Sequence, residues 1–134
     1  VWLAVSEAWR WYGDLQAAKA MKRRRELEAR MRVEPRDDWE EVELRAYGGS
    51  DPGRPILIGI DGRVFNVWRS AQLYGAGGSY EALAGKDASR LLAKGSLGDE
   101  EDDGAPLTQY ELNTLRDWKE YFANKYEDCG ALRP

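Results

Sequence analysis

The chain has 134 residues, of which 43% are hydrophobic and 33% charged, and its formal net charge is −4. This length is enough for one domain with a hydrophobic core, and the composition excludes a disordered or low-complexity protein. The net negative charge argues against nucleic-acid binding by the chain as a whole.

Histidine is absent, and the one cysteine is Cys129. These two facts exclude histidine-based catalysis, bis-histidine ligation of haem, an internal disulfide and covalent haem attachment through a cysteine pair. Because no nucleophile–base pair or phosphate loop is recognisable either, the sequence predicts a protein that is not an enzyme. Cys129 is expected to be inert, and the acidic run Asp99–Asp103, which lacks the spacing of a calcium loop, is expected to be solvated.

Residues 1–36 are predicted to form an arm with an aromatic part and a basic part. The aromatic part contains three tryptophans, Trp2, Trp9 and Trp11. Seven basic and two acidic side chains follow between Lys19 and Arg32. Tryptophan followed by lysine and arginine is typical of a membrane boundary, and tryptophan is also enriched in protein interfaces. We expect residues 1–33 to bind a membrane surface or a membrane protein complex.

The spacing of apolar residues predicts that this arm is helical, with a restart at Gly13–Asp14 and an end at Pro35. The first residue is Val1, as expected for a cleaved presequence and an organellar or secretory route, or for a truncated sequence. No run of about 20 apolar residues is present, so no complete membrane span is predicted. The expected location is membrane-associated, in an organelle (mitochondrion or chloroplast) or in the endomembrane system.

A β-hairpin is predicted near the middle of the chain. Two apolar runs, residues 56–60 and 64–67, flank Asp61–Gly62, a dipeptide typical of two-residue hairpin turns. Gly59 lies inside the first run, which indicates that another backbone or a ligand approaches this strand closely.

Short helices are predicted around this hairpin, so that residues 37–134 form one α+β domain. Asp37–Asp38 are expected to cap a helix over residues 39–46. The residues from Thr108 to Glu111 have the sequence of a capping box, and the apolar spacing after them predicts a long amphipathic helix that stops at Gly130.

Two tyrosines, Tyr74 and Tyr80, are separated by a segment that contains three glycines. Such a segment lets the chain bend around a flat ligand, so that two phenols can converge on one point while apolar side chains cover its faces. An isolated tyrosine near glycines is nevertheless more often a core or turn residue than a ligand. The spacing alone therefore leaves both interpretations open.

The stretch VFNVWRSAQLYGAGGSYEALAGKDASRLLA, residues 64–93, resembles the signature of the membrane-associated progesterone receptor component family. This family is a histidine-free branch of the cytochrome b5-like haem/steroid-binding fold. The resemblance covers about residues 40–130, from the helix near Leu44 through PILIGIDGRVFNV to LRDWKEYFANKY, although Asn66 stands where the family usually has aspartate. It implies a cytochrome b5-like domain with a small sheet or hairpin and short helices around a haem pocket, preceded by the helical arm.

The same resemblance implies the residues of the pocket. The family's haem-ligating tyrosine falls on Tyr80, with Tyr74 beside it, and a supporting lysine–tyrosine pair falls on Lys125 and Tyr126. Haem b would be held non-covalently with Tyr80 on the iron. A phenol titrates near pH 10, so ferric iron must supply the charge that removes its proton. Tyr74 and Tyr126 would donate hydrogen bonds to the phenolate, and Lys125 would pair with a haem propionate.

Two functions remain open on the sequence. The first is a non-enzymatic haem-binding module that acts at a membrane or on a membrane protein partner. The second is a structural accessory subunit of a large organellar membrane complex, respiratory or photosynthetic, which keeps the fold and leaves the pocket without haem. A small apolar ligand such as a steroid is implied by the family name alone.

Overall fold

The computed structural model describes residues 1–97 and 102–134. They divide into two compact units, Val1–Arg32 and Val33–Pro134. Of the acidic run that the sequence analysis expects to be solvated, residues 99–101 lie outside the described part.

The first unit consists of helix α1, Trp2–Met31, which is continuous over 30 residues and therefore about 45 Å long. The predicted restart at Gly13–Asp14 is wrong, because one glycine costs a helix only about 1 kcal/mol and the residues around it favour the helix. The helix ends before Pro35, since the backbone of Arg32 is already extended at ψ 138°.

The surface of α1 carries exposed aromatic side chains along its first three turns. The exposed residues of this set are Trp2, Trp9, Trp11 and Tyr12. Within residues 1–97 and 102–134, no helix combines the length and the apolar character that crossing a membrane requires.

The second unit contains a three-stranded antiparallel sheet of order β1–β2–β3. Its strands are β1, Leu57–Ile60, β2, Arg63–Asn66, and β3, Glu127–Ala131. Strands β1 and β2 form the hairpin that the sequence predicts. Asp61 and Gly62 turn the chain between them with φ of 46° and 77°, the positive values that a tight hairpin turn of this kind requires.

Strand β3 corrects the predicted end of the last helix. Helix α5, Gln109–Lys125, starts as predicted, with the Thr108 side chain accepting a hydrogen bond from the backbone N–H of Glu111. It ends before Gly130 because Tyr126 is extended, at φ −125° and ψ 163°, and the residues that follow pair with β2. The segment EDCGA has no β-branched residue, so strand propensity does not reveal it.

The first helix of this unit is shorter than predicted. Helix α2 spans Glu41–Leu44 and continues as a 3₁₀ turn, Arg45–Tyr47. Glu40, rather than Asp37–Asp38, forms its capping box. Trp39 is not helical, because its backbone pairs with the chain that follows β3.

The remaining helices lie on one face of the sheet. They are α3, Ala71–Tyr74, and α4, Ser89–Lys94, together with the 3₁₀ turns Trp68–Ser70 and Glu81–Leu83. Alternation along the strands separates two cores: Ile58 and Phe65 pack with residues of α4 and α5, whereas Leu57 and Val64 pack with α2 on the opposite face. The predicted α+β class is therefore confirmed.

Gly59 explains how α4 is held against the sheet. Its backbone N–H donates to the carbonyl of Lys86 at 2.9 Å, and its carbonyl accepts from the N–H of Ala88 at 2.7 Å. A Cβ at this position would lie 3.2 Å from the Cα of Asp87, closer than side chains normally approach. The predicted close approach is thus confirmed, and it is made by a backbone.

Candidate functional site

A cleft of about 690 Å³ opens between α4, α5 and the chain around α3. This volume lies within the range of cofactor and small-molecule sites. Its apolar lining consists of Leu73, Leu83, Leu91, Leu92, Leu97, Trp118 and Phe122. Its polar lining consists of Tyr74, Tyr80, Thr114, Asp117, Tyr121 and Tyr126. The cleft can therefore hold a flat apolar group and offer it several phenol oxygens.

Tyr74 and Tyr80 meet in this cleft because the glycine segment between them folds back on itself. The backbone N–H of Tyr80 donates to the carbonyl of Leu73 at 2.9 Å, and Gly77 takes a φ of 80° in the bend. The two phenol rings lie 5.9 Å apart between centroids. Their exposure differs: Tyr74 is 5% exposed and Tyr80 is 39% exposed.

Tyr126 follows α5 directly and is buried beside Tyr74. Its O–H donates to the Oγ of Ser70 at 2.8 Å, and its ring lies edge-on to that of Tyr74 at 6.2 Å between centroids. Burial raises the pKa of Tyr74, and the neighbouring Tyr126 raises it further. Tyr74 therefore resists ionisation more than an ordinary tyrosine, and its protonated phenol can act as a hydrogen-bond donor.

Lys125 does not line the cleft. It lies at a separate depression of about 330 Å³, whose lining includes Asn66 and Trp68. Its ammonium donates to the hydroxyl of Tyr121 at 3.0 Å, and this hydrogen bond raises the pKa of Lys125. Of the four residues suggested by the family resemblance, the structure brings three phenols together and connects the lysine to the cleft through Tyr121.

Tyr121 is a polar cleft residue that was not predicted from the sequence. The apolar spacing predicts an amphipathic helix here, but it does not single out Tyr121. The available signal is spacing: Tyr121 follows Trp118 by three residues and precedes Lys125 by four, which places all three on one side of a helix. In the structure Trp118 and Tyr121 line the cleft, with their rings in edge contact at 5.8 Å, whereas Lys125 lies at the neighbouring depression.

Comparison with known proteins identifies the fold and the family. The family model of the cytochrome b5-like haem/steroid binding domain matches residues 38–126. A solved structure from Arabidopsis thaliana, described as having a cytochrome b5-like fold, is similar with a TM-score of 0.62 and 39% identity. The match covers 73% of this chain and 92% of that one.

Two curated relatives support the same assignment. Membrane steroid-binding protein 1 of Oryza sativa subsp. japonica is 44% identical over 95 residues, which are 69% of this chain and 41% of the relative. Membrane-associated progesterone receptor component 2 of Homo sapiens is 39% identical over 100 residues, 71% of this chain and 44% of the relative. This chain thus spans about two fifths of the length of these relatives. With the matched fold, these similarities show that the chain belongs to the cytochrome b5-like haem/steroid-binding domain family, in its membrane-associated progesterone receptor component branch.

Proposed function

We propose that this chain is a non-enzymatic haem-binding module in which Tyr80 is the iron ligand and Tyr74, Tyr126 and Lys125 support the pocket. The observation that carries the proposal is the meeting of a half-exposed phenol and a buried phenol inside one apolar cleft. Bound haem b would supply a ferric centre whose positive charge favours an oxygen anion as ligand.

The difference between the two phenols supports Tyr80 as the ligand. Ligation requires a phenol that can lose its proton and reach the iron. Tyr80 borders the cleft and is partly open to solvent, whereas burial raises the pKa of Tyr74. Tyr74 therefore suits the second role, in which a protonated phenol donates a hydrogen bond to the oxygen of Tyr80 and fixes its orientation.

The walls of the cleft suit a flat macrocycle. Leucines of α4 and the ring of Trp118 cover the cleft with apolar surface, and Phe122 closes its floor with no exposure. Such walls keep water from most of a bound porphyrin, and burial of apolar area would provide most of its affinity. A smaller apolar ligand, such as the steroids in the names of the relatives, would compete for the same surface.

The proposal is tested by titrating the full chain with hemin, Fe(III) protoporphyrin IX, and following the Soret absorption. Tyr80→Phe should weaken binding by at least about tenfold, since it removes the one charged ligand of the iron. Tyr110→Phe is the matched control, because Tyr110 lies exposed on α5 and does not line the cleft. Unchanged affinity in Tyr80→Phe would remove Tyr80 as the ligand.

The membrane role is proposed for residues 1–33. Exposed tryptophans lie at the start of α1, and the basic stretch from Lys19 follows them. This order suits a membrane surface, where tryptophan lies at the boundary of the acyl chains and basic residues contact anionic headgroups. Binding to vesicles that contain anionic lipid should fall when Arg23, Arg24 and Arg25 are replaced by serine, and it should weaken with salt. Equal binding to neutral vesicles would remove the basic stretch as a determinant, and no binding to either kind of vesicle would favour a protein partner instead.

A second candidate function is supported by the same exposed arm. The chain would be an accessory subunit of a large organellar membrane complex, held by α1, with no haem in its cleft. Co-purification with such a complex and no Soret band in the purified protein would favour this function, whereas a Soret band lost in Tyr80→Phe would reject it.

A further inference from the structure

Lys125 is hydrogen-bonded to Tyr121, a residue that lines the cleft. The ammonium of Lys125 donates to the Tyr121 hydroxyl at 3.0 Å and lies 5.4 Å from the centre of the Tyr121 ring. Tyr121 lines the cleft and is 46% exposed, whereas Lys125 lines the neighbouring depression. A ligand in the cleft can therefore contact a phenol whose oxygen is hydrogen-bonded to the lysine. The ammonium also lies 5.5 Å from the ring of Tyr126, which lines both the cleft and the depression.

The hydrogen bond from Lys125 decides what Tyr121 can offer to a ligand. A phenol has one proton to donate and an oxygen that accepts. Because the ammonium already donates to this oxygen, the O–H is the main group that Tyr121 can still offer to a ligand. A donor hydrogen bond onto the oxygen also polarises that O–H and makes it a stronger donor. Tyr121 is therefore suited to an acceptor, and an anionic acceptor above all.

One acidic residue of the cleft lining lies near this donor. Asp117 precedes Tyr121 by one turn of α5, and its carboxylate lies 3.7 Å from the guanidinium of Arg116. Both side chains of this pair are 71% exposed, so solvent and the partner charge screen Asp117. The field at the Tyr121 hydroxyl is therefore dominated by the ammonium 3.0 Å away.

We propose that Tyr121, with Lys125 behind it, binds a carboxylate of the ligand and makes the cleft selective for acidic planar ligands. The inference rests on the proposed function, in which that ligand is haem b and the carboxylate is a propionate. Aromatic contacts connect the two ends of the site, from Tyr80 through Tyr74 and Phe122 to Tyr121. One end holds the iron, and the other recognises the acid.

The experiment compares hemin with hemin dimethyl ester, which has the same iron and ring but no carboxylate. Tyr121→Phe should weaken the binding of hemin by about threefold to tenfold, which is less than a hydrogen bond to a charged group usually contributes, because the site is half exposed. Binding of the ester should change by less than about twofold. Tyr110→Phe, the same change on an exposed part of α5, should leave the binding of both ligands unchanged.

Lys125→Met supplies a second and independent variant. If the lysine acts through Tyr121, Lys125→Met should weaken the binding of hemin to a similar extent. The double variant should then bind hemin no more weakly than either single variant. If the losses of affinity in the two single variants add up in the double variant, Lys125 acts separately from Tyr121 and the proposal is wrong.

The remaining outcomes also decide the question. If Tyr121→Phe loses affinity equally for hemin and for the ester, Tyr121 contributes through packing and not through a carboxylate. If it loses affinity for neither, Tyr121 has no role in binding. The proposed function fails separately, if Tyr80→Phe keeps full hemin affinity. If the wild-type chain binds neither porphyrin, both proposals are wrong.

Discussion

The backbone N–H of Arg36 donates a hydrogen bond to the carbonyl oxygen of Cys129 at 3.0 Å. The same carbonyl accepts the indole N–H of Trp39 at 2.9 Å, so residues 33–39 lie as a strap against β3. This contact puts the carbonyl of Arg36 where a side chain on Gly130 would have to be. Gly130 also has a φ of 108°, a conformation that side-chain-bearing residues rarely adopt.

Gly130→Ala should therefore lower the free energy of unfolding by about 2 to 4 kcal/mol, through backbone strain and loss of the strap contact. Urea denaturation measures this loss. Gly62→Ala is the control, because Gly62 has a φ of 77° but open space around its Cα. It should cost about 1 to 2 kcal/mol from conformation alone. Equal losses in the two variants would contradict a steric role for the Arg36 carbonyl.

This strap also shows what the sequence could not predict. The hairpin was predictable because its signal, Asp61–Gly62 between two apolar runs, is local. Strand β3 has no such signal, since its residues become a strand only where β2 and the strap supply backbone partners on both sides. A helix pattern continued to Gly130 was therefore the natural but wrong prediction.

The candidate site also has one feature that the sequence predicts and one that it does not. The glycine spacing suggested that Tyr74 and Tyr80 could converge, and their contact at 5.9 Å is the geometry that this spacing allows. The position of Lys125 outside the cleft could not be predicted, because it depends on how α5 ends and on a hydrogen bond to Tyr121. Sequence motifs give residue types, whereas the orientation of each side chain follows from packing.

Phe122 connects the cleft to the core, and its removal should destabilise both. It is fully buried and lies 5.3 Å from the ring of Tyr126 and 6.2 Å from that of Tyr74. Phe122→Ala should lower the free energy of unfolding by about 3 to 5 kcal/mol, because it leaves a cavity that these rings cannot fill. Leu112→Ala on the exposed side of α5 should change stability by less than about 1 kcal/mol. Similar losses, measured by urea denaturation, would show that Phe122 is not a core residue.

Cys129 should react with alkylating reagents only when the domain unfolds. Its side chain is buried, and burial raises the pKa of the thiol to about 11. Since the thiolate is the reactive form, labelling by iodoacetamide at pH 8 should be at least about tenfold slower in buffer than in 8 M urea. Mass spectrometry of the labelled chain measures both rates. A native rate equal to the denatured rate would mean that Cys129 is accessible and that the prediction of an inert cysteine is wrong.

The buried phenol of Tyr74 should make stability fall at alkaline pH. Burial, followed by the neighbouring Tyr126, raises the pKa of Tyr74 in the folded chain, whereas an unfolded tyrosine titrates near pH 10. Above about pH 10 the unfolded state thus loses a proton that the folded state keeps, and the free energy of unfolding decreases with pH. Below about pH 9 both states are protonated, and this contribution to stability is fully present.

Tyr74→Phe removes this titration, so its stability should decline less steeply than that of the wild type between about pH 9.5 and 11.5. Urea midpoints measured across that range give the two slopes. Tyr110→Phe should follow the wild type, because Tyr110 is 79% exposed and has no comparable burial to lose on unfolding. Parallel slopes for Tyr74→Phe and the wild type would mean that Tyr74 titrates alike in both states. The buried phenol would then resist ionisation no more than an ordinary tyrosine, and that reason for choosing Tyr80 over Tyr74 as the iron ligand would be lost.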